Sequence, residues 1–180
     1  MQIEKFNIEG LILIKPTIFS DSRGLFYETY SRSNYSDLGI DHAFSQDNES
    51  ISKLNVLRGL HFQSPPFDQG KLVRVVKGKV LDVAVDIRKQ SPTYGKHVMV
   101  ELSEENKFQF WIPSGFAHGF LSLSDETIFA YKCTNVYNKS SESGILWKDP
   151  QLNIKWGVHH PIVSEKDEEL PLFNTLNSPF

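Results

Sequence analysis

The run KLVRVVKGKVLDVAVDI, residues 71–87, decides the fold class. In its second half Leu81, Val83, Val85 and Ile87 alternate with Val80, Asp82, Ala84 and Asp86, the period-two pattern of a β-strand. The preceding KLVRVV is rich in β-branched residues, and Lys77-Gly78-Lys79 supplies a glycine where the chain must turn, so the two halves are expected to form a hairpin. Outward from this run the same texture repeats. HVMVELS (97–103) leads through SEEN into KFQFWIP (107–113), where Phe108, Phe110 and Ile112 alternate with Lys107, Gln109 and Trp111. GFLSLS (119–124) then leads into TIFAYKCT (127–134). Each of these is expected to be a further hairpin.

Near the start, LILIKP and LFYETY read as strands separated by the FSDSRG turn, whose Asp, Ser and Gly suit a reversal. Only SRSNYSDLGI (31–40) suggests a short helix. From about Asp149 the chain is more polar and broken by Pro161 and Pro171, as expected for an irregular wrap. There is no internal repeat and no low-complexity linker. Many short strands with few helical segments imply an all-β sandwich or closed barrel, formed by residues 1–180 as one domain.

Composition narrows the function classes. The chain has 180 residues, 39% hydrophobic and 23% charged, with a formal net charge of -3. It lacks the basic excess of a nonspecific nucleic-acid binder, so any phosphate must meet a few placed cations. The single cysteine, Cys133, excludes an intrachain disulfide and a multi-cysteine metal site, and fits a reducing compartment. No stretch approaches the roughly 20 apolar residues of a membrane helix, and the first residues lack the basic segment and apolar run of a secretory signal. A soluble cytoplasmic protein is expected.

The densest chemistry is VLRGLHFQSPPFDQGKLVRVV (56–76), which sets Arg58, His61, Gln63, Lys71 and Arg74 into apolar strands. Strict alternation would put Arg58 and Leu60 on one face, Gly59 and His61 on the other. A second cluster, WIPSGFAHGF (111–120), delivers His118 after a Pro-x-Gly turn. Together these segments resemble the two half-motifs of the cupin superfamily, which implies a double-stranded β-helix, or jelly-roll barrel, with its site inside. A metal-binding cupin would carry His-x-His and a later carboxylate. Here Gln63 takes the second histidine's place, and Lys71 lies where the acidic ligand is sought. An ammonium repels a cation and an amide is a poor substitute for imidazole, so no metal and no cofactor are expected.

The resemblance then narrows. FSDSRGLFYETY, FSQDNESIS, VLRGLHFQ, the stretch from Gln69 to Lys96, LSEENKFQFWIPSGFAHGF, YKCTNVY, SESGILWKDP and SEKD stand in the order found in the dTDP-4-dehydrorhamnose 3,5-epimerase family. The resemblance runs from about Gly10 to Pro171. It implies metal-independent removal and return of protons at carbons 3 and 5 of a dTDP-4-keto-6-deoxy sugar, within dTDP-L-rhamnose biosynthesis.

By this resemblance His61 is the base, Asp167 orients it, Lys71 stabilises the enolate oxygen and Tyr131 is the acid on the opposite face. Arg23, Phe26, Glu28, Gln46, Asn48, Arg58, His118, Tyr137, Glu142 and Lys166 are the implied substrate-binding residues. The family also implies a homodimer in which N-terminal strands are exchanged. Read without it, Lys71 is a surface lysine, Asp167 a solvated charge, Tyr131 a core tyrosine, and Arg23 with Glu28 a surface ion pair. An epimerase acting on carbon 3 alone or on another nucleotide, a noncatalytic sugar-nucleotide-binding cupin, and a metal-dependent cupin oxygenase are the rival classes.

Overall fold

The computed structural model describes all of residues 1–180. The strands are β1 (Gln2–Lys5), β2 (Ile12–Lys15), β3 (Phe19–Asp21), β4 (Gly24–Phe26), β5 (Gln46–Ser52), β6 (Leu57–Gln63), β7 (Lys71–Lys77), β8 (Lys79–Asp86), β9 (His97–Ser103), β10 (Gln109–Ile112), β11 (Phe116–Ser122), β12 (Thr127–Cys133) and β13 (Glu142–Gly144). Helix is confined to α1 (Arg32–Ser36), α2 (Glu165–Glu168) and a 3-10 turn at Phe173–Thr175. One sheet runs β1-β2-β10-β7-β12-β5 and a second β13-β6-β11-β8-β9, while β3 and β4 pair only with each other. This is the all-β jelly-roll barrel that the sequence implied.

The three expected hairpins do not form. β7 pairs with β10 and β12, whereas β8 pairs with β11 and β9. Consecutive strands therefore pass to opposite sheets: β9 and β10 separate in the same way, as do β11 and β12. The reason lies in the burial. Val80 and Ala84 of β8 enter the core between the sheets, while Val83 and Val85 enter a second core on the outer side. A strand apolar on both faces does not reveal its partner, and Gly78 (φ +81°) turns the chain from one sheet to the other. That corner is fixed from outside, since Glu104 accepts the Gly78 N–H at 2.9 Å and Ser124 accepts that of Lys79 at 2.9 Å. Near the N-terminus, LFYETY is a strand only as far as Phe26.

Three apolar layers follow. Val73, Val75, Phe110, Phe120 and Phe129 fill the barrel. Outside the five-stranded sheet, Leu60, Phe62, Val85 and Leu121 are covered by Leu152, Trp156 and Phe173 of the C-terminal wrap. Outside the other sheet, Ile14, Leu72 and Trp111 are covered by Tyr35 and Ile40 from the α1 region. Each fully buried large side chain contributes about 1.5–3 kcal/mol, so the wrap is a layer of the fold.

At the end of β8, Asp86 holds the loop to β9. Its oxygens accept Arg88 Nε at 2.9 Å and Nη2 at 2.7 Å, with Ser91 Oγ at 2.5 Å and Thr93 Oγ1 at 2.6 Å. Burial pushes this carboxyl up, but the Arg88 guanidinium and the two hydroxyls outweigh it and hold the pKa at about 2. A carboxyl depressed in the folded chain stabilises it above the unfolded pKa, and that contribution disappears as pH falls through the folded value. Asp86→Asn should therefore lower unfolding free energy at neutral pH by about 1–3 kcal/mol in urea titrations. The deficit should narrow between about pH 4 and pH 2, where the wild-type advantage is itself being lost.

Candidate active site

β6 and β11 build the floor of a cleft between the sheets. His61 stands opposite His118 and Arg58 opposite Phe120, so two residues of β6, Gly59 and Leu60, face the single Gly119 of β11. This bulge breaks the strict alternation expected of the segment. Arg58 and His61 both line the cleft, while Leu57, Leu60 and Phe62 belong to the outer core. The two backbones touch where it forms. A Cβ on Gly59 (φ +122°) would lie 2.5 Å from Gly119 Cα, and one on Gly119 would lie 2.7 Å from the Arg58 carbonyl oxygen. Both positions require glycine.

The main cleft has a volume of about 580 Å³ and is lined by Arg58, His61, Lys71, His118, Tyr131, Lys166 and Asp167. An adjoining lobe of about 320 Å³ is lined by Gln46, Asn48, Gln69, Tyr137 and Glu142, and His61, Lys71 and Tyr131 line both. Ten of the residues singled out in the sequence read as candidates therefore converge with Asp167 on one connected depression. His61 projects from the five-stranded sheet, Lys71 and Tyr131 from the six-stranded one.

His61 Nε2 lies 2.6 Å from Asp167 Oδ1 across 106 residues of sequence. The other carboxylate oxygen accepts the Gly59 N–H at 3.2 Å, and Ser164 caps the short helix that carries Asp167. Burial pushes the Asp167 carboxyl up, but the His61 bond and charge outweigh it, with help from Gly59 and Lys166, and the net shift is downward. An ionised carboxylate can only accept, so Nε2 carries the hydrogen and Nδ1 of the neutral ring is the basic nitrogen.

Lys71 is not a surface residue. Its Nζ donates to Gln69 Oε1 at 2.7 Å, contacts Cys133 Sγ at 3.8 Å and lies 5.4 Å from the Tyr131 ring centre. Burial pushes its ammonium pKa down, and burial pushes the Tyr131 phenol up. Arg58 is steadied by Ser52 Oγ at 3.2 Å and keeps an exposed guanidinium. In the second lobe Glu142 accepts Tyr137 Oη at 2.9 Å and pairs with Lys166 Nζ at 2.6 Å. Burial pushes the Glu142 carboxyl up, yet these two partners bring it below its ordinary value. Gln46 donates to Asn48 Oδ1 at 2.9 Å and accepts the Tyr137 N–H at 2.8 Å.

Arg23, Phe26 and Glu28 do not join this cleft within the chain. Arg23 pairs with Asp21 at 2.6 Å on the exposed β3–β4 hairpin, and not with Glu28. Phe26 is 70% exposed, and Glu28 accepts Asn34 Nδ2 at 2.8 Å. Gln63, at the second lobe, spends its amide on the chain itself. Its amide donates to the Phe67 and Val136 carbonyls and accepts the Asn138 N–H, bracing two loops.

Three residues at the site were not singled out in the sequence. Asp82, buried inside the barrel, lies 2.9 Å from His118 Nε2, making a second histidine–carboxylate pair beside the first. Burial pushes this carboxyl up, against the opposing pull of His118. A lone aspartate among Val80 and Ala84 signals such a partner, because a buried charge needs one. Ser50 has a buried hydroxyl on the cleft wall with no hydrogen-bond partner in the chain. Gln69 holds Lys71.

Comparison with known proteins identifies the family. Residues 5–175 match the family model described as dTDP-4-dehydrorhamnose 3,5-epimerase. The chain is 52% identical over 168 residues to the dTDP-4-dehydrorhamnose 3,5-epimerase of Shigella flexneri, covering 93% of each. It superimposes on the enzyme of that name from Elizabethkingia anophelis with a TM-score of 0.94, at 46% identity and 99% coverage of both chains. The dTDP-6-deoxy-D-glucose-3,5-epimerase of Legionella pneumophila, solved with dTDP-4-keto-L-rhamnose, also gives a TM-score of 0.94, at 50% identity over 98% of this chain and 94% of that one. By sequence and fold, the chain belongs to the dTDP-4-dehydrorhamnose 3,5-epimerase family.

Proposed function

We propose that the chain epimerises dTDP-4-keto-6-deoxy-D-glucose at carbons 3 and 5, giving dTDP-4-keto-L-rhamnose through enolate intermediates. The observation that carries the reading is the placement of His61 and Tyr131 on opposite sheets of one cleft, with Lys71 beside Tyr131. A sugar ring between the sheets has a base on one face and a phenol on the other.

In this mechanism His61 Nδ1 removes the proton from carbon 3, and the C–H electrons move into the adjacent carbonyl to make the enolate. Asp167 stabilises the imidazolium formed, as a fixed carboxylate does in other histidine-based sites. The Lys71 ammonium offsets the charge on the enolate oxygen inside a desolvated cleft. Tyr131 returns a proton from the opposite face, inverting the centre, and proton exchange resets both residues. Carbon 5, the other neighbour of the carbonyl, reacts in the same way.

Arg58 and Lys166 are the cations within the chain that face the cleft and suit the diphosphate, and Tyr137 offers an aromatic surface to the base. The remaining site residues come from a second copy in this reading. The β3–β4 hairpin pairs with no other strand and exposes Phe19, Leu25 and Phe26, so its Arg23, Phe26 and Glu28 suit the cleft of a partner in a strand-exchanged homodimer. No helix is long and apolar enough to cross a membrane. We place the enzyme in the cytoplasm, where sugar nucleotides are made, with residues 1–180 acting as one domain.

Incubation with dTDP-4-keto-6-deoxyglucose in heavy water should incorporate deuterium at both carbons, read by proton NMR. Incorporation at carbon 3 alone would make it a monoepimerase, and binding without exchange a noncatalytic module. His61→Ala should lose at least roughly 10²-fold in rate while still binding dTDP, as for other general bases. Mixing inactive His61→Ala with an inactive Arg23→Ala variant should restore about a quarter of the wild-type rate if sites are shared between subunits. No recovery after confirmed subunit exchange would place each site within one chain.

A further inference from the structure

Lys71 is a charged group of the cleft that leans on a neutral partner, and that partner is itself held in place. Its strong hydrogen bond runs to Gln69 Oε1 at 2.7 Å, and the second contact is the Cys133 thiol. Gln69 is itself fixed from behind, because its Nε2 donates to the Asn135 carbonyl at 2.8 Å. The two segments are laced together around it. Gly70 N–H donates to Thr134 Oγ1 at 2.9 Å, Thr134 N–H to the Gly70 carbonyl at 3.0 Å, and Asn135 Nδ2 to the Pro66 carbonyl at 3.0 Å.

These contacts allow the amide only one orientation. Turned over, its NH2 group would face an ammonium that can only donate, and its oxygen would face the Asn135 carbonyl that can only accept. Gln69 therefore always offers an acceptor to Lys71. An amide oxygen there differs from a carboxylate in leaving the charge of the ammonium in place. It favours the protonated amine, yet leaves the positive charge uncancelled and at least one N–H free for the cleft.

We propose that Gln69 is a positioning residue for the reaction, which keeps Lys71 charged and aimed at the enolate oxygen, and that its neutrality is what the chemistry requires. The inference rests on the assignment of Lys71 as enolate stabiliser. Burial works against the charged amine while Cys133 and the Glu142 carboxylate pull the other way. The Gln69 oxygen at 2.7 Å is a further acceptor for the ammonium, so without it the lysine would lose its proton at lower pH. With a carboxylate at position 69 the lysine would hold its proton more tightly but be paired off.

The test compares wild type, Gln69→Met and Gln69→Glu, each checked by thermal melting and dTDP binding, for kcat, KM and the pH dependence of turnover. Both variants should lose about 10–100-fold in kcat, the scale of a misplaced catalytic group, with KM nearly constant. The alkaline limb should move to lower pH in Gln69→Met and to higher pH in Gln69→Glu. A role limited to bracing the loops would not move the limb in opposite directions. Should Gln69→Met fail to fold, the near-isosteric Gln69→Glu still decides, since wild-type kcat with an unmoved limb in that variant overturns the proposal. Wild-type exchange at both carbons alongside that result would leave the function intact and remove only the role of Gln69. Absence of exchange in the wild type would remove both.

Discussion

The close approach of β6 to β11 at Gly59 and Gly119 governs how the site is assembled. Two backbones without side chains can meet there, and a bulge on β6 follows. The bulge turns Arg58 and His61 to the same side and presents the Gly59 N–H to Asp167. It also leaves Leu60 and Phe62 for the outer core, so the strand keeps its apolar anchorage while giving two polar residues to the cleft. A regular strand of this sequence would have to surrender one or the other.

Around that contact the charges are arranged by what each can offset. The two histidines are neighbours across β6 and β11, and each has its own carboxylate. Asp167 arrives from the far end of the chain, and Asp82 from the adjoining β8. Leaving either carboxylate buried without its partner would cost several kcal/mol. On the opposite sheet Lys71 is given an amide and a thiol, with no ion pair. On one wall of the cleft the two histidines are paired with carboxylates, and on the other a buried cation is left without one.

Much of this was legible in the sequence, for reasons that can be named. Alternation in residues 80–87 revealed the strand, and the short helix, the irregular C-terminal wrap and the barrel class were all readable. Strand pairing was not, because β7 and β8 are apolar on both faces and a glycine corner looks like a glycine turn. The facing of Arg58 was misread because a bulge leaves no mark on a pattern of alternation. The convergence of His61 with Asp167 could be stated only through resemblance to a family, since no spacing rule joins residues 106 positions apart. Asp82 and Gln69 were missed although their surroundings carried a signal: an acid on an apolar strand face, and an amide two residues before a lysine.

The C-terminal wrap has a consequence for the competence of the site. The segment that seals the outer core with Leu152, Trp156 and Phe173 also carries Ser164, Lys166 and Asp167. The apolar burial that drives the tail onto the barrel therefore brings the carboxylate to His61. Sealing the outer core and orienting the histidine thus depend on one segment, and His61 has its carboxylate only where that segment lies closed over the sheet.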